Sequence, residues 1–202
     1  DRVKWKSLGC DSVLLQSMMN KQLSGIHNRE QSIDRLKELG FYDRAVHTYD
    51  INGTTYYWYG NEYRREIEYE AKYRWDSYVC PGSITLDIGT AYGDSLVFLG
   101  MASMNGLTFG FELSMGRYLS NEWLARLNPS LDILPHNFGV KSNGSPEWIN
   151  MDGGKARVVP IAKWINKRLQ LHDVNYASHV SFIKIDIDGG DVDIVRSFIP
   201  YL

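Results

Sequence analysis

The stretch from Ile84 to Ser95, ITLDIGTAYGDS, constrains this chain more than any other. A β-rich apolar run ends in a carboxylate, Asp87. It then passes through a glycine turn and opens into an apolar-periodic segment, Leu96, Val97, Leu99 and Gly100. That order reads as strand, tight turn, helix. Gly89 and Gly93 allow the backbone to turn sharply and to approach a ligand, and the N–H groups of the first helical turn point into the same space. The corner is therefore a ligand-binding one.

The acids decide which ligand suits it. A dinucleotide corner is spaced G-x-G-x-x-G and offers an uncluttered positive helix end to pyrophosphate. This corner is spaced G-x-x-x-G, with Asp87 before it and Asp94 inside it, and two carboxylates repel a phosphate. They suit a cofactor that lacks phosphate and carries cationic groups, as S-adenosylmethionine does with its ammonium and sulfonium. A second short β-type run, Leu107 to Phe111, ends in Glu112, twenty-three positions beyond Gly89. In doubly wound folds an acid at about this offset, ~20 residues, takes the ribose diol.

At 202 residues and 44% apolar composition the chain can build one domain with a substantial core. A net charge of −2 carries no global nucleic-acid or membrane signature, and no apolar run is long enough to span a bilayer. Cys10 and Cys80 lack ligand spacing and are expected to be free thiols in a reducing, cytoplasmic setting. The five histidines show no zinc spacing. The chain begins at Asp1 without a leader, so it is expected to be a compact unit excised from a longer protein.

Residues 1–80 form an N-terminal extension. Two short capped helices are expected over 11–25 and 28–40. Strands from Val46 to Ile51 and from Thr54 to Tyr59 are joined by Asn52-Gly53, a strong hairpin signal. A helix over 62–78 follows. The tyrosines crowded between 49 and 78 are expected to pack rather than to stack on sugars. Because an open sheet edge is an aggregation hazard, the hairpin is expected to dock on the main domain, with dimerisation as the alternative.

Residues 81–202 continue as the main domain. A crossover helix is expected from Gly116 to Leu127, a third strand from Ile133 to Val140 and a helix from Ile161 to Leu171. The last informative stretch, Val180 to Asp191, is an apolar strand ending in Lys184, Asp186 and Asp188, then a glycine pair and a helix in which Asp191 has a capping place. This strand is expected beside the one ending at Asp87, at the carboxyl ends where such sheets bind ligands. Asp186 is the expected base or orienter for an acceptor hydroxyl. Alternation would put Lys184 and Asp188 on its face. Asp186 and Asp188 could instead hold magnesium or manganese, and His136 is a second choice of base.

The run Lys184-Ile185-Asp186-Ile187-Asp188-Gly189-Gly190-Asp191 resembles the Lys-Ile-Asp-Val-Glu-Gly-Ala-Glu signature of FkbM-type methyltransferases. The cofactor corner and Phe111-Glu112 resemble the first two motifs of that family. The likeness covers residues 83–200, with Asp188 and Asp191 where the family favours Glu, Thr90 and Ala91 where it usually has Ala and Asn, and Leu113 where Pro commonly follows the acid. It implies a cofactor site made of Asp87, Gly89, Thr90, Ala91, Tyr92, Gly93, Asp94, Ser95, Glu112, Leu113 and Asn137. It also implies S-adenosylmethionine-dependent O-methylation of a hydroxyl, often on a sugar, in domains often fused to glycosyltransferases.

The expected fold is thus α/β, a Rossmann-like class I methyltransferase sheet with helices on both faces, preceded by the helical and hairpin extension. The expected acceptor is a carbohydrate. Other readings are a non-sugar hydroxyl or carboxyl as acceptor, or a non-catalytic Rossmann-like binding module. Asp87 and Asp94 disfavour an NAD-dependent oxidoreductase.

Overall fold

The structure, a computed structural model, describes residues 46–51, 53–59, 78–151, 154–170 and 179–201. The helices expected over 11–25, 28–40 and 62–78 lie outside the described residues, apart from Tyr78. The described elements are β1 (Val46–Ile51), β2 (Thr54–Tyr59), β3 (Ile84–Ile88), α1 (Asp94–Ala102), β4 (Leu107–Glu112), α2 (Met115–Leu127), β5 (Asp132–Asn137), β6 (Gly139–Lys141), β7 (Glu147–Met151), β8 (Gly154–Pro160), α3 (Ile161–Gln170), β9 (Val180–Ile185) and α4 (Asp191–Phe198), with a 3-10 turn, Ile199–Tyr201.

Four strands make a parallel sheet in the order β5-β4-β3-β9. Side chains alternate along a strand, so each strand feeds two cores. On one face Ile84, Leu86 and Ile88 of β3 and Leu107, Phe109 and Phe111 of β4 pack with Ile161 and Ile165 of α3 and Ile194 and Phe198 of α4. On the other face Ile133 packs with Leu96 and Val97 of α1 and Trp123 and Leu124 of α2. Helices therefore cover both faces of a Rossmann-like sheet, as the order of elements in the sequence implies. The position facing α1 from β4 is Gly110, where a Cβ would press on Leu96 and Thr90. The first helix lies tightly on the sheet for that reason. Pro135 sits in β5, an edge strand of this sheet, where its missing N–H does least harm.

The expected third strand is two strands. β5 ends at Asn137, and after Phe138 the chain leaves the sheet to form β6, which pairs with β8 in a separate three-stranded sheet of order β6-β8-β7. Asn137 marks the break: its Nδ2 donates to the carbonyls of Glu112 (3.1 Å) and Leu113 (3.2 Å), tying the end of β5 to the chain leaving β4.

The hairpin forms with the expected bounds, Ile51 opposite Thr54. It docks on the back of the helix layer, where Tyr56 packs against the α1/α2 core, and it does not extend the four-stranded sheet. Asn128, at the end of α2, is buried and clamps it there: Oδ1 accepts from Tyr57 N–H (2.8 Å) and Nδ2 donates to the carbonyls of Tyr57 (2.7 Å) and Leu124 (2.8 Å). Replacing Asn128 by Ala takes these side-chain bonds from the Tyr57 N–H and carbonyl, each at a cost of about 1–3 kcal/mol. Asn128→Ala should lower the denaturation free energy by at least about 2 kcal/mol and speed exchange of the Tyr57 amide. Unchanged exchange would mean that the clamp does not hold the hairpin.

Candidate cofactor and catalytic site

In this sheet the chain winds outward from β3 through β4 to β5 and then returns to β3's other side as β9. The connections diverge between β3 and β9, and the carboxyl ends of the strands at such a point are where open α/β sheets bind ligands. Asp87 and Lys184 are register partners on these two strands and so project from the same face.

Asp87 is fully buried. Its Oδ1 accepts from Lys184 Nζ at 3.0 Å and its Oδ2 from Ser95 Oγ at 2.6 Å. Lys184, 8% exposed, also donates to the Gly89 carbonyl at 2.9 Å, and its Nζ lies 3.9 Å from Asp186 Oδ2. Burial works against the ammonium, but Asp87, by charge and by hydrogen bond, followed by Asp186 and Asp94, outweighs it and holds the Lys184 pKa above the ordinary lysine value. Lys184 is thus a cationic rivet between the two strands.

The backbone closes around the same point. Gly89 has φ +81°, and a Cβ there would collide with the carbonyl oxygen of Asp186. The Asp186 N–H in turn donates to the Ile88 carbonyl at 2.9 Å. The strand ends are therefore in backbone contact beneath the acids.

The loop after β3 is held from two further sides. Glu112, at the end of β4, accepts the Ala91 N–H on Oε2 (2.9 Å) and the Ser114 N–H on Oε1 (2.8 Å). A carboxylate has about four lone-pair sites, so two remain for another donor pair. From α2, Ser120 Oγ donates to the Tyr92 carbonyl (2.9 Å), and Asn121 Nδ2 donates to Thr90 Oγ1 (2.5 Å). Arg117 lies over the Tyr92 ring, 5.4 Å from its centre. Ala91 is held at φ +49°, a conformation that L residues adopt at a cost.

Burial raises the pKa of Glu112 above the usual carboxylate range, opposed by the Ser114 N–H, Arg117 and the Ala91 N–H. Asp94, the first residue of α1, is half-buried, and its pKa is raised by desolvation and then by the Asp87 charge. Two carboxyls of the corner thus carry raised pKa values, with Arg117 as the cation nearest the Tyr92 side of the loop.

Asp186 is 64% exposed and Asp188 is exposed at the turn that follows. β9 ends at Ile185, so only Lys184 of the three lies in the strand, while Asp186 keeps its carboxylate 3.9 Å from the Lys184 ammonium. Among the described residues no three His, Cys, Asp or Glu side chains converge to hold a metal, so the geometry does not support the magnesium or manganese reading of Asp186 and Asp188. Asp191 Oδ1 accepts the Ile187 N–H (3.0 Å), which fixes the turn into α4. His136 is no base: it packs on the α3 side of the sheet among Phe109, Phe111, Phe138 and Trp164, and burial lowers its pKa to about 4.

Sequence reasoning missed Ser120 and Asn121. Their signal is that both are polar yet stand four and three positions before Leu124, on the apolar face of α2.

No protein-family model matches the sequence, and no curated protein matches it. Among solved structures the chain is similar to coclaurine N-methyltransferase bound to N-methylheliamine and SAH, at 18% identity and a TM-score of 0.33. The match covers 66% of this chain and 46% of that one, so it spans less than half of that protein. A likeness this slight says nothing about what this chain binds.

Two outcomes are expected. Lys184→Met leaves the Asp87 carboxylate buried without its cation and should cost about 3–5 kcal/mol in chemical denaturation. Adding Asp87→Asn should recover much of that, and a single-variant loss below about 1 kcal/mol, the size of an exposed pair, would contradict the rivet. Gly189 also has a positive φ, +86°, but open space around it. Gly189→Ala should therefore show backbone strain alone, about 1–2 kcal/mol, whereas Gly89→Ala should be clearly worse in the same assay. Equal losses would mean that the Asp186 carbonyl does not crowd Gly89.

Proposed function

We propose that this chain is an S-adenosylmethionine-dependent O-methyltransferase acting on a sugar hydroxyl. One observation carries the cofactor: the loop between β3 and α1 is ringed by Asp94 and Glu112, with Asp87 paired to Lys184 beside them, and burial raises the pKa of both Asp94 and Glu112. Such a ring favours a ligand that brings cations and hydroxyl donors, and it disfavours pyrophosphate. The residues fit S-adenosylmethionine. Gly89 and Gly93 keep the loop flat against its neighbours, Asp94 stands where an ammonium or sulfonium gains most, and Glu112 retains acceptor sites for a ribose diol. Leu113 and Asn137 support this wall, Asn137 by holding the Glu112 and Leu113 carbonyls.

When bound, the cofactor supplies an activated methyl group. The protein's task is to hold the acceptor oxygen in line and to take its proton. Asp186 is the residue assigned to the proton: it is solvent-accessible, it follows β9 directly and its backbone abuts Gly89. Lys184 is a positioning residue, because its ammonium is committed to Asp87 and the Gly89 carbonyl. The resemblance of residues 184–191 to the FkbM-type signature supports a sugar hydroxyl as the acceptor, and a non-sugar hydroxyl is the second reading.

Calorimetry and a transfer assay with labelled cofactor and a panel of hexose and deoxy-sugar glycosides test the proposal. S-adenosylmethionine should bind and NAD should not. Glu112→Ala should weaken binding at least about tenfold, the size of one lost hydrogen bond to a charged group. Asp186→Asn should bind cofactor but lose about 10²–10⁴ in transfer. Equal affinity for NAD would remove the cofactor assignment, and normal turnover by Asp186→Asn would remove the base.

A further inference from the structure

The three-stranded sheet has no part in the site described so far. It grows from the ligand end of the main sheet: β6 starts two residues after Asn137, and a Cβ on Gly139 would press on Leu113, the neighbour of Glu112. Its β7–β8 ribbon has two unlike faces. Trp148 stands opposite Arg157 and Asn150 opposite Lys155, and all four are exposed, Trp148 by 67%. Ile149 and Ala156, paired on the other face, are half-buried, as is usual for a ribbon with one face turned inward. Glu147 alternates away from Trp148 and is neutralised by Lys141 of β6 at 2.7 Å. Neither Lys155 nor Arg157 forms an ion pair with a described residue. Among the described residues the outer face therefore shows an exposed indole, an amide and two cations, with no acid between them, on a chain whose net charge is negative.

We propose that this face binds an anionic saccharide, a sugar ring bearing a carboxylate, sulfate or phosphate, and so docks an acidic part of the acceptor. The proposal rests on the carbohydrate reading of the acceptor. The indole offers a flat apolar surface to the C–H face of a ring. Asn150 supplies donors and an acceptor for hydroxyls. Lys155 and Arg157, two positions apart on one strand, are separated by ~7 Å, roughly the reach of one substituted sugar. Arg157 has the planar fork that suits carboxylate or phosphate. A nucleic acid fits less well: strand binders combine a groove of many cations with successive stacking platforms, and this face has one platform and two cations.

The test uses the whole chain. The indole N–H resonance of Trp148 is identified as the one that Trp148→Phe removes, and it is followed while trigalacturonic acid, neutral maltotriose or oligouridylate is added. Cofactor binding is measured by calorimetry on the same samples. Trigalacturonic acid should shift the Trp148 resonance, more weakly at high salt. Arg157→Ser and Lys155→Ser should each weaken that binding by about three- to fivefold, the scale of an exposed charge pair, with cofactor binding unchanged. No shift, an equal response to maltotriose or tighter binding of oligouridylate would overturn the proposal. Because cofactor binding is read separately, failure of this face and failure of the methyltransferase reading are distinguishable.

Discussion

The buried pair between Asp87 and Lys184 is the interaction on which the rest of the site depends. It joins β3 to β9 at the point where the connections of the sheet diverge. A carboxylate and an ammonium removed from water are costly unless both are fully engaged. Here they are: Asp87 accepts from Lys184 and Ser95, and Lys184 donates also to the Gly89 carbonyl. The same pair fixes the Gly89 turn, and with it the direction in which α1 leaves the sheet.

From that rivet the functional geometry spreads by contact. Gly89 admits the Asp186 carbonyl, so the residue assigned to the acceptor proton is anchored to the loop assigned to the cofactor. Glu112 reaches the same loop through the Ala91 N–H, and α2 holds its far side through Ser120 and Asn121. The cofactor loop is held by three separate elements, which keeps its acids close together in spite of their repulsion. Asp94 bears the remaining strain, since desolvation and Asp87 both work against its charge.

The strand-turn-helix corner, the hairpin and the parallel order of β3, β4 and β9 were legible because each rests on local chemistry: glycines at left-handed positions, apolar runs of strand length and acids at strand ends. The break after Asn137 was not, because Phe138 and Val140 continue the apolar pattern while the pairing partner changes from β4 to β8. β7 and β8 were illegible for a related reason. Lys155, Arg157 and Pro160 dilute the second strand, and the exposed β7 lacks a buried stripe. Asp186 and Asp188 follow the end of β9 at Ile185, and His136 stands at a strand end whose side chain turns into the aromatic core.

The central claim, that this corner is charged for a cationic cofactor, has a direct thermodynamic signature. The pKa of Asp94 is raised above the ordinary carboxylate range, by burial first and then by the Asp87 charge. A cation seated beside Asp94 lowers that pKa, so binding must expel the proton and must tighten as pH rises through this range. Calorimetric titration of S-adenosylmethionine over a pH series running upward from the ordinary carboxylate range, in buffers of different ionisation enthalpy, measures that proton. Release on binding, abolished in Asp94→Asn, is the predicted result; no exchange, or the same release from the Asn variant, would contradict the account.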